Sequence, residues 1–119
     1  MDGSIWGESL APVNLIIHLL FGILVLGAIT HHWVLLIKGK GFKGQRVIAR
    51  YAFWVVVGYL VTFSWGMMIY PAFAYHVRYL YADAEVPWAT ALFEIKEHGL
   101  AVGLGILPFY YHASRAVSE

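Results

Sequence analysis

Six histidines, His18, His31, His32, His76, His98 and His112, lie in a chain whose remaining residues are mostly apolar. Beside one of them, the stretch Phe93 to His112, "FEIKEHGLAVGLGILPFYYH", carries Glu94, Lys96 and Glu97 at the entry to an apolar run. Imidazoles and carboxylates bind metals and move protons. An ionisable group inside hydrocarbon is costly and is retained where it has a partner or a task. The question is which elements would bring these residues together.

The 119 residues are 61% hydrophobic and 13% charged, against roughly a quarter charged in an ordinary soluble domain. With a span needing about 20 apolar residues, the pattern predicts a single all-α domain, an integral membrane helical bundle. Three transmembrane helices are expected over about 12–37, 49–80 and 88–114. The second is long, and Pro71 removes a backbone donor and should kink or break it. "ADAEVP", Ala82 to Pro87, reads as an acidic external turn.

Five of the eight basic residues, Lys38, Lys40, Lys43, Arg46 and Arg50, fall in or beside one connection, and the first fourteen residues have none. The positive-inside rule then puts the N-terminus outside and the C-terminus in the cytoplasm. Localisation in a bacterial inner membrane is expected. The basic cluster is read as a topology determinant touching lipid headgroups, and no nucleic-acid partner is expected. With no cysteine in the chain, disulfides, thiolate-ligated zinc, iron–sulfur clusters and c-type haem attachment are excluded.

His18 and His32 are fourteen residues apart, as are His98 and His112. Fourteen helical steps return to within about 40° and advance about 21 Å, so each pair points to one side of its helix at two depths. His31 is rotated roughly 140° from His18 and faces elsewhere. The first and third spans run parallel, so His18 matches His98 at the outer depth and His32 matches His112 at the inner. Two such helices can bracket two planar haems, each iron held by imidazole above and below.

This H-x13-H spacing on parallel helices resembles the dihaem cytochrome b of quinol:cytochrome c oxidoreductases. The resemblance covers the four histidines and little else. It implies the ligand role alone, two b-type haems held by His18, His32, His98 and His112, and none of the family's quinone-site motifs is present; with such haems the expected activity is electron transfer across the bilayer, with a quinone and a redox protein as candidate partners. Arg78 and Lys96 outside, with Arg46, Arg50 and Arg115 inside, would neutralise haem propionates. Glu94 or Glu97 would accept protons from a quinol or orient a ligand histidine. Three helices enclose two haems poorly, which predicts a homodimer or a larger complex, and in a homodimer histidines from two protomers can share a haem.

Two other classes stay open. Glu94, Glu97 and His98, joined by His76 and His18, can form a non-haem metal site, although the usual Glu-x-x-His spacing is absent. Alternatively the polar residues are interhelical glue in an accessory subunit of a larger membrane complex.

Overall fold

The computed structural model describes residues 8–38 and 42–116, without the side chains of Glu8 and of 42–45. Part of the basic connection therefore lies outside the described residues. A 3-10 turn over Glu8–Leu10 leads into α1, Ala11–Ile37, where Pro12 occupies the first turn. There its missing N–H has no intrahelical partner to lose. α2 spans Phe42–Phe73, and α3 spans Pro87–Ala116 with Pro87 as its first residue. No strand occurs among the described residues.

Pro71 does not end α2. The helix runs through it to Phe73 and then widens into a π-helical segment, Ala74–Ala82. A wider helical turn is one way to absorb a missing donor and a crowded ring without breaking the rod. One further turn, Asp83–Glu85, precedes the break at Val86, whose amide is bonded to the Ala82 carbonyl. The acidic connection expected from the sequence is thus largely helical, and the chain reverses around Val86.

α2 is the central helix and packs against α1 on one side and α3 on the other. Packing is tightest near the basic connection, where Ile48, Ala52 and Val55 of α2 are buried. These positions, i, i+4 and i+7, form one stripe. His32 of α1 and Leu107 and Ser114 of α3 are buried as well. Towards the other end Ala72, Ala74 and Ala82 are also buried, and a cleft opens between the three helices.

The molecule measures 59 × 29 × 20 Å. α1 and the helical stretch Arg46–Glu85 are long and apolar enough to cross a membrane. Their large apolar residues, among them Leu19, Leu24, Leu26, Trp54 and Met67, point outward. A thin helical assembly that exposes such surface, with its backbone bonds closed inside each helix, suits a lipid environment.

Candidate functional site

α1 turns both of its spaced histidines towards its neighbours. The ring of His18 lies on the backbone of Gly66, where a Cβ would stand 2.9 Å from Cε1. The Thr62 carbonyl is a hydrogen-bond partner of this ring, while its buried Nδ1 has none. His18 also forms part of the wall of a cleft of about 270 Å³, with Gly66 and Tyr70 of α2 and Phe93, Lys96 and Glu97 of α3. Lys96 Nζ stands 3.4 Å from Glu97 Oε1 and 4.3 Å from the centroid of the Phe93 ring. Lys96 therefore joins Glu97 in the cleft.

One level along, His32 is 1% exposed. Its Nδ1 shares a short hydrogen bond with the Tyr110 hydroxyl, and its Nε2 is buried without a partner. The ring is stacked 6.4 Å from that of Tyr51, whose hydroxyl bonds His31 Nδ1 at 2.7 Å. Both rings therefore meet Tyr51, but His32 is buried and His31 is exposed.

α3 presents its two histidines on the opposite side. Its packing face carries Phe93, Leu100, Gly103, Leu107, Tyr110 and Ser114. Leu107 is buried, Tyr59 packs on Gly103, and the Tyr59 hydroxyl donates to the Leu100 carbonyl at 2.5 Å. His98 precedes Leu107 by nine residues, about half a turn around a helix, and both His98 and His112 are exposed. His98 Nδ1–H donates to the Glu94 carbonyl at 2.7 Å. In the neutral ring this leaves the Nε2 lone pair pointing away from the bundle.

His98 does not oppose His18, nor does His112 oppose His32. Tyr110 occupies the position facing His32, and Lys96 with Glu97 the position facing His18.

Glu94 is turned to the end of the bundle, where it bonds Arg78 Nη2 at 2.5 Å. Arg78 also donates to the Tyr70 hydroxyl at 3.2 Å and has Asp83 Oδ2 3.8 Å from its Nε. Thr90 Oγ1 donates to Asp83 at 2.8 Å. This clamp ties the π-helical segment to α3, so Arg78 already has carboxylate partners within the chain. His76 is exposed beside Tyr75 and borders a second groove, of about 450 Å³, between the start of α1 and the π-helical segment.

Glu94, Glu97 and His98 do not converge. Among the described residues, no three His, Asp or Glu side chains form a group able to hold a metal ion. Tyr51, Tyr59 and Tyr110, which supply hydrogen bonds between helices, were not singled out from the sequence. The signal available for Tyr59 was Gly103, a small residue facing a large one across a helix pair.

Fold and site together define an all-helical protein with two helices able to cross a membrane and an inward and an outward pair of spaced histidines. Comparisons with protein-family models, curated proteins and solved structures find no match for this chain.

Proposed function

We propose that the protein is a three-span membrane electron carrier that holds b-type haem through membrane histidines, with its N-terminus outside and its C-terminus in the cytoplasm. α3 is the third span, and the basic connection at Lys38 to Arg50 sets the orientation. When bound, haem b supplies a one-electron centre in the bilayer, able to exchange electrons with a quinone or a redox protein. His98 and His112 are the residues that would hold it.

The observation that supports this function is the exposure of His98 and His112 on the side of α3 turned away from the bundle. A membrane helix has no packing reason to present two histidines to lipid. His98 is also arranged as a ligand commonly is: the other ring nitrogen donates to a backbone carbonyl, which fixes the tautomer and orients the lone pair. The donor set is nitrogen only, as bis-histidine haem ligation requires.

The α1 histidines have other work. His18 and His32 are packed on α2 and against Tyr110 respectively, and they hold the bundle together. Glu97 and Lys96, next to His98 in sequence, line the cleft on the bundle side of α3, away from the histidine face.

The test is a reduced-minus-oxidised visible spectrum of protein made with adequate haem and purified in detergent, with haem b counted per chain. A low-spin haem b spectrum supports the proposal. Absence of a Soret band would sink it and leave the accessory-subunit class, in which the same residues serve assembly alone.

A further inference from the structure

The exposed face of α3 has a regular construction. His98, Val102, Gly105, Phe109 and His112 follow one another at i, i+4, i+7, i+11 and i+14, and all are exposed. Val102 and Phe109 are 63% and 77% exposed. Gly105 lies seven residues from each histidine, at the midpoint of the stripe. A Cβ built there would meet nothing within 4 Å, so the chain's own packing does not require a glycine. Gly58, Gly66 and Gly103 each face a side chain of a neighbouring helix, whereas Gly99, beside His98 on the same helix, shares the open surroundings of Gly105, as do Gly22 and Gly27.

Each histidine can provide one axial position, and the chain offers no second imidazole opposite either. We infer that a second copy of this chain completes the site: His98 and the partner's His98 flank one haem, and His112 and the partner's His112 flank another. This rests on the haem-carrying function proposed above. A two-fold axis along the membrane normal brings the same patch of both protomers face to face. Matched depths then follow from symmetry, and the fourteen-residue spacing separates the two haems by about 21 Å along the helix. Gly105 leaves the level between them free of side chain, where the edges of two macrocycles and two helices would otherwise crowd.

The stoichiometry is distinctive. A shared site gives one haem per chain and two per dimer, whereas two pairs within each chain would give two haems per chain. Haem content and particle mass are to be measured on the full-length protein in detergent, by pyridine haemochrome and by light scattering. The expected result is one haem b per chain in a two-chain particle. His98→Ala and His112→Ala should each halve the haem, and the double variant should remove it. His18→Ala should retain it.

Gly105→Phe is the control that leaves every histidine in place. It should keep the helical circular dichroism spectrum while losing both haem and dimer. Haem bound to a single-chain particle, two haems per chain, or haem lost with His18→Ala would each overturn the shared site and leave the electron-carrier function standing. A wild-type chain that takes up no haem would overturn both.

Discussion

The imidazole of His18 lies over the backbone of Gly66, close enough that a methyl group there would stand 2.9 Å from Cε1. Alanine at Gly66 gains helix propensity of up to about 1 kcal/mol and meets only the far end of a side chain, which can swing towards the cleft. Gly66→Ala should therefore stay within about 1 kcal/mol of wild type, whereas the overpacked Gly66→Leu should lose about 1–3 kcal/mol. Adding His18→Ala to the leucine variant should recover part of that loss, with a coupling of at least about 0.5 kcal/mol. Thermal unfolding in detergent reads the cycle, and additive effects would mean that His18 is not what Gly66 accommodates.

His32 offers a sharper case because it is fully enclosed. Its Nδ1 is satisfied by the Tyr110 hydroxyl, and its Nε2 has no partner. Tyr110→Phe removes the hydroxyl and leaves a buried imidazole with neither nitrogen bonded, a cost of about 1–3 kcal/mol. Replacing His32 by leucine as well should reverse most of that loss, since two apolar partners of similar size leave nothing unsatisfied. His31→Ala, on the exposed side of the same turn, should cost less than Tyr110→Phe in the same unfolding assay.

Hydropathy located the helices to within a few residues at most ends, because the Gly/Lys connection and the Ala82 to Pro87 segment interrupt the apolar runs sharply. The fourteen-residue spacings correctly placed His18 with His32 and His98 with His112 on common sides of their helices. What spacing cannot supply is the rotation of one helix relative to another. In a soluble bundle the apolar stripe marks the inward face, but α3 is apolar both where it meets α2 and where it faces outward. Leu107 and Phe109 are equally hydrophobic, yet Leu107 is buried and Phe109 is 77% exposed. The glycines carried the missing signal: Gly103 receives Tyr59, while Gly105 receives nothing. The π-helical segment was also hidden, since Pro71 announces a disturbed helix without saying how the following residues absorb it.

Arg78 joins three partners on three different stretches of chain, Tyr70, Asp83 and Glu94. Glu94 is about half exposed, and an exposed ion pair contributes about 0–1 kcal/mol. Glu94→Gln and Asp83→Asn should therefore each cost less than about 1 kcal/mol. Arg78→Leu removes all three contacts at once and should cost more than either. If the clamp holds the π-helical segment against α3, amide hydrogen exchange over Ala74–Ala82 should quicken in Arg78→Leu and change little in Glu94→Gln. Equal exchange in both variants would mean that the segment is held by its apolar packing alone.

α3 decides the topology. Among the described residues, α1 and Arg46–Glu85 are the helices long and apolar enough to cross a membrane, and α3, which carries Glu94, Lys96, Glu97, His98 and His112, is more polar. A helix lying along the membrane surface would leave both of its ends on one side, whereas a crossing helix separates them. The chain has no cysteine, so single substitutions report sidedness without background. Ala84→Cys, in the exposed turn before α3, should react with a membrane-impermeant maleimide from outside in intact cells. Lys38→Cys and Ala116→Cys should react only after the membrane is opened. Labelling of Ala84→Cys and Ala116→Cys from the same side would place α3 on the surface. That would remove the two depths on which paired haem ligation by His98 and His112 depends.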